Sequence, residues 1–395
     1  MCRSSGICLT GFKDPRQPLR AMFAVRLVEH PLPSVERDVD ALVEWMISTL
    51  ALVRKRGEAT ADDGRAGPVH RLLRDHLLGQ PNRAWDAQML ADDLALMPAS
   101  LNHHLSRLVE SGLIGFTNEG KGWRKYYLNG GSVSHAVAFL QQRAQLVLKQ
   151  RTYGLERCWH RKGLDLPVEL GQSDAPSLML GVVDHRPTPV PTEGDWLSHW
   201  MNDFGLLGER PGKELHAQSL SVRLFEDLLG RDAPLSLDEA TELHGGDKAR
   251  IGRIFERFRA TSMVERVPRT DRLTTALWTA MTSQYQRRGP DWMLKKGGFQ
   301  RLLNDELQTL LLRRLEAQEL TIEHLNGLLN DVDVREQMLL LNLLGGRLPM
   351  GYRMAGNNVE TLHRAVETRM DRVLRRMARV AGLLDEALPA YKEDS

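Results

Sequence analysis

Residues 68–129 read PVHRLLRDHLLGQPNRAWDAQMLADDLALMPASLNHHLSRLVESGLIGFTNEGKGWRKYYLN. Val69, Leu72, Leu73, His76 and Leu77 recur at helical spacing, and Gly79 with Pro81 ends that stripe. Asp86 is placed to cap a second helix in which Met89, Leu90, Leu94 and Leu96 face inward. The pair Met97-Pro98 then imposes a break that only a tight turn bridges. In the third helix Leu101, His104, Leu105, Leu108 and Val109 line one face, which leaves Ser100, Asn102, His103, Ser106 and Arg107 outward, and Gly112 closes it. IGFTNEGKGWRKYYLN reads as strand, glycine-rich tip and strand, with Ile114, Phe116, Tyr126 and Leu128 available to a core. The order is helix, helix, turn, helix, hairpin.

Outward from this unit, residues 1–34 carry Pro15, Pro18, Pro31 and Pro33 with little periodicity and read as a mobile lead-in. Residues 35–67 hold one amphipathic helix, Val35 to Val53, and a polar linker rich in glycine; the unit itself extends over 68–162. Residues 163–195 read as a proline-rich connector around SLMLGVVDH, because Pro167, Pro176, Pro187, Pro189 and Pro191 forbid a continuous helix. A second module is expected over 196–289. There LSVRLFEDLLG and LDEATELHGG suit two helices, DKARIGRIFERFRA a third, and MVERVPRTDRLTTALW a hairpin. Ile251, Ile254, Phe255 and Phe258 form the apolar face of that third helix, leaving Lys248, Arg250, Arg253 and Arg257 largely off it.

Residues 290–395 read as helical. In the last helix, Val359 to Leu388, Leu362, Val366, Met370, Val373, Met377, Val380 and Leu384 alternate steps of three and four, a seam that calls for a partner helix. The expectation is a homodimer through this C-terminal helix.

Composition narrows the function classes. With 395 residues the chain holds two to four units. The net charge is +2, from 53 Lys and Arg against 51 Asp and Glu, so any basic surface must be local. Three irregularly spaced cysteines form neither a disulfide framework nor a zinc ribbon, and Cys158 reads as a buried thiol. His103 and His104 are adjacent on a helix, point about 100° apart and cannot readily share a metal. No metal or cofactor is expected. No stretch is long enough to span a membrane, and the start lacks a secretory core, which points to the cytoplasm. Walker, dinucleotide-binding, HExxH and GxSxG motifs are all missing, so the chain reads as a non-enzyme.

NHHLSRLVESGLIGF followed by GKGWRKYYL resembles the winged helix-turn-helix transcription regulators of the ArsR-like kind, over about a fifth of the chain. The resemblance implies a fold that is mainly α with small β-hairpin wings. It implies a third helix in the major groove of double-stranded DNA, with Ser100, Asn102, His103, Ser106 and Arg107 toward bases or phosphates. On the wing, Lys121, Arg124 and Lys125 would meet the backbone. Metal-responsive members carry paired cysteines in the helix before the turn; DAQMLADDLAL has none. In the second module Lys248, Arg250, Arg253 and Arg257 would play the DNA-binding part. The leading expectation is a sequence-specific transcriptional regulator. The alternative is a winged-helix scaffold or interaction subunit of a chromosome-organising, replication or partition complex.

Overall fold

The computed structural model describes residues 20–34, 38–53, 67–118, 124–160, 174–186, 196–208 and 216–388. Its first element, β1 (Arg20–Val28), lies in the segment expected to be a mobile lead-in. Phe23, Val25 and Leu27 alternate into the core, a period-2 pattern that the flanking prolines obscured. Helix α1 (Val39–Thr49) is capped by Asp38 and buries Leu42, Val43, Met46 and Ile47. Next come α2 (Pro68–Arg71), continued in π-helical geometry through Leu77, then β2 (Trp85–Asp86) and α3 (Ala87–Leu94). Helix α4 (Pro98–Ser111), β3 (Ile114–Thr117) and β4 (Lys125–Leu128) complete the unit, and α5 (Val133–Tyr153) follows. The expected order holds, with one addition: Trp85 pairs with Tyr126, giving a three-stranded antiparallel sheet in the order β2-β4-β3. Met89, expected inward, is 42% exposed.

Strand β5 (Met179–Arg186) runs through what read as a proline-rich connector, because Leu178, Leu180 and Val182 again alternate into the core. Helices α6 (Trp196–Asp203), α7 (Leu220–Gly230), α8 (Leu237–His244) and α9 (Lys248–Ala260) lead to β6 (Val264–Pro268). The hairpin expected next is absent. Thr270 instead begins a turn into α10 (Leu273–Lys295), whose helical path breaks at Gly289 (φ +75°, ψ 179°) just before Pro290, at the expected boundary. Four further helices follow, α11 (Phe299–Leu302), α12 (Asp305–Glu316), α13 (Ile322–Leu328) and α14 (Val334–Leu343). Only then does β7 (Met350–Met354) return to pair antiparallel with β6, before α15 (Val359–Ala387). Residues 269–349 thus occupy the place that a few hairpin-tip residues hold in the first unit. Helices α10 to α14 have a core of their own, from Leu273 to Leu344, whereas one apolar core joins residues from Phe23 to Leu384.

The two halves are one plan used twice. Trp85 matches Leu235, and Leu235 bridges Tyr352 as Trp85 pairs with Tyr126. Asp86 and Ser236 cap α3 and α8; Ala95 and Gly245 end these helices with positive φ. At the end of α4 the Ser111 hydroxyl donates to the Leu108 carbonyl at 2.7 Å, and at the end of α9 Thr261 does the same to Phe258 at 2.8 Å. Ser132 caps α5 as Asn358 caps α15. Upstream, the αL residue after α1 is Ala51 and that after α6 is Gly205.

Equivalent elements also meet each other. β1 pairs antiparallel with β5. Helix α15 lies antiparallel along α5: Asp385 accepts from the backbone N–H groups of Val133 and Ser134, and Tyr153 faces His363 at 5.7 Å. Antiparallel contact between equivalent elements is what an approximate two-fold relation between the halves produces. This arrangement corrects the reading of the C-terminal seam. Leu362, Val366, Met370, Val373, Met377, Val380 and Leu384 are all buried within the chain, so the partner helix is α5 and not a second copy. Among the described residues no helix is long and apolar enough to cross a membrane.

Candidate nucleic-acid interface

Helix α4 begins at Pro98, whose fixed φ suits a first turn, and ends at Gly112 with φ +79°. Leu101, Leu105 and Leu108 anchor one face in the core. Ser100, Asn102, His103 and Ser106 lie exposed on the opposite face, as their spacing predicts. His103 and His104 meet edge-on at 5.7 Å; burial lowers the His104 pKa, which keeps that ring neutral on the inner side.

Arg107 departs from expectation. Its Nη1 donates to the Leu52 carbonyl at 2.6 Å and its Nη2 to the Ala51 carbonyl at 2.5 Å. These carbonyls belong to the turn just beyond the C-cap of α1, so the guanidinium ties α4 to the end of α1 rather than reaching outward. The sequence could not separate the two roles, because the acceptors lie more than fifty residues away.

On the hairpin, Arg124 is exposed and its guanidinium lies over the Phe116 ring at 4.9 Å. Lys125 is half-buried in β4. Lys121 lies outside the described residues. Apolar groups share this surface: Met97 is 76% exposed, and Phe116, expected inward, and Tyr127 are each more than a third exposed.

Helix α9 repeats the geometry with a different surface. The Asp247 carboxylate accepts from the Arg250 backbone N–H at 3.0 Å and caps the first turn. Ile251, Ile254, Phe255 and Phe258 are buried, as expected. Lys248, Arg250 and Arg253 are exposed, with Lys248 paired to Asp238 on α8. Arg257 is the match of Arg107 and likewise turns back. It lies so close to Gly208, beyond the end of α6, that a Cβ there would come within 2.9 Å of its Cζ. Arg259 is buried and bound to Glu256 and Asp174, which removes it from the outer surface as well.

The structure therefore divides the candidate residues into two groups. Ser100, Asn102, His103, Ser106 and Arg124 form an outward surface on the first unit, and Lys248, Arg250 and Arg253 form one on the second. The first is nearly uncharged and partly apolar; the second is cationic. Arg107 is a tether, and Arg257 is turned back against Gly208. Sequence reasoning also missed Arg266, which occupies on β6 the place of Phe116 on β3 and is 37% exposed near Asp174. Its hairpin context was hidden by the residues that separate β6 from β7. No protein-family model, curated protein or solved structure matches the chain.

Proposed function

We propose that the chain binds double-stranded DNA as a transcriptional regulator in the cytoplasm, through two winged helices carried on one frame. Residues 68–153 are read as an ArsR-like winged helix, and residues 220–354 as a second one whose wing contains the helical insertion. The observation that carries this reading is the shared disposition of α4 and α9. Each is anchored by buried apolar residues, carries an arginine turned back from the outer face, Arg107 bonded to two carbonyls and Arg257 lying against Gly208, and is left with polar side chains outward along its amino-terminal half. Such a helix can enter a major groove, where Asn102 suits adenine and Arg250 or Arg253 suits guanine. The cationic surface of α9 supplies phosphate neutralisation that α4 lacks.

Anisotropy titrations with a labelled duplex at several salt concentrations test the reading. Duplex affinity should fall linearly with the logarithm of salt, and Lys248→Ala with Arg250→Ala and Arg253→Ala should flatten the slope by about two to three. A second reading, an interaction subunit that grips a partner protein, is favoured by Met97, Phe116 and Tyr127 on the first unit. Absence of duplex binding at low salt, with a stoichiometric protein partner lost on Met97→Asp, would select it.

A further inference from the structure

We propose that the insertion between β6 and β7 is a backbone clamp: a cleft along α10 that holds the phosphodiester chain of duplex flanking the site met by α9. The proposal rests on the DNA-binding reading. In a winged helix the tip of the hairpin lies beside the DNA backbone, and in the second unit that tip is replaced by residues 269–349. The backbone N–H of Arg269 donates to the Pro349 carbonyl at 2.8 Å, closing the base of the insertion and fixing it against the sheet.

The cleft has a volume of about 540 Å3 and lies between α10, the 344–349 segment and the start of α8. Arg272, the N-cap residue of α10, and Arg287 on that helix both line it, roughly 22 Å apart along the axis at 1.5 Å per residue. That length matches about six phosphates of one strand projected on a duplex axis. Thr275, Thr279 and Ser283 recur every four residues between them, so hydroxyls line the same helix face, that of Thr279 donating back to the Thr275 carbonyl at 2.9 Å. Arg347, from the 344–349 segment, also lines the cleft.

Charge decides the ligand class. Glu239 and Asp271 are each bound by Arg269 and also approached by Arg272, so two carboxylates meet two guanidinium groups. Arg287 and Arg347 are exposed and have no ion-pair partner among the described residues. The cleft is therefore net positive, elongated and lined with hydroxyl groups. These features suit a row of phosphates and offer little to an apolar molecule.

The test compares the full-length protein with Arg287→Ala/Arg347→Ala on two duplexes sharing one selected site, one trimmed to that site and one extended by about ten base pairs on each side. The parent should gain affinity and salt slope on the longer duplex. The double variant should bind the short duplex like the parent and lose about two units of slope on the long one. Equal behaviour of parent and variant on both duplexes overturns the clamp while leaving DNA binding intact. Tight binding of a nucleoside triphosphate that is lost in the variant, with duplex slopes unchanged, overturns it in favour of a small-anion site. If the parent binds neither duplex, the DNA-binding reading itself fails and the clamp with it.

Discussion

Gln145 and Asp371, which occupy equivalent positions on α5 and α15, meet side chain to side chain at 2.9 Å. On the ribbon, Arg26 stands opposite Gly181 in the pairing of β1 with β5. Contacts between equivalent positions mark where the approximate two-fold axis crosses each layer, and the frame made by these four elements is a dimer interface folded into one chain.

The chain should accordingly be a monomer of 44.7 kDa in light scattering. The seam of α15 is filled by α5, so charge introduced there breaks the fold instead of parting two copies. Met370 is fully buried, and Met370→Asp should lower unfolding stability by several kcal/mol. A folded variant of half the parent's mass would show that the seam joins two chains after all.

Ala51 holds φ +47°, where its counterpart in the second half is Gly205 at φ +79°. A Cβ in that region is strained, so Ala51→Gly should stabilise the protein by about 0.5–1 kcal/mol. Arg107→Ala removes the donors from two carbonyls beside that turn and should cost about 1–3 kcal/mol. Denaturant titrations measure both. Base preference should survive Arg107→Ala in a randomised-site selection, and a changed consensus would return this residue to the reading surface.

The first unit was legible because its signals are local: the Asp86 cap, the Pro98 start and the Gly112 stop all lie within a few residues of the helices that they bound. Strands β1 and β5 were not, since each is a short apolar run among prolines and becomes a strand only by pairing with the other across some 150 residues. The second hairpin was misread for the same reason: the partner of Val264 is Met354 and not the adjacent RTDRLTTALW. Among the candidate site residues the exposed set followed from helical phase alone. Arg107 and Arg257 lie on the border between faces, where phase cannot tell a tether from a reader.

Glu239 closes the capping box of α8 and also binds Arg269. Burial acts to raise its pKa, but hydrogen bonds from Arg269 and Ser236 outweigh that and bring it down to about 2. A carboxylate with a depressed folded-state pKa contributes stability that is fully present above its ordinary value near 4.5 and is lost as pH falls toward 2. Glu239→Gln should therefore be less stable than the parent at pH 7, by about 1–3 kcal/mol. The gap should close between pH 4.5 and 2 in urea titrations. A difference that stays constant with pH would assign the effect to packing rather than charge.

The unlike surfaces of α4 and α9 lead to the last prediction. A symmetric dimer presents two identical reading helices and selects a palindrome. Here the frame is nearly symmetric while the outward residues are not: Ser100, Asn102, His103 and Ser106 on one side, Lys248, Arg250 and Arg253 on the other. Randomised-site selection should return a bipartite site with two different halves. Asn102→Ala should relax preference within one half only, by about 1–3 kcal/mol of discrimination, because the lost contact is to a base edge. Arg253→Ala should act on the other half. It should also weaken binding to every sequence if its main contact is a phosphate, since phosphate contacts carry no base information. A palindromic consensus, or one in which both substitutions alter the same base pairs, would mean that only one of the two units touches DNA.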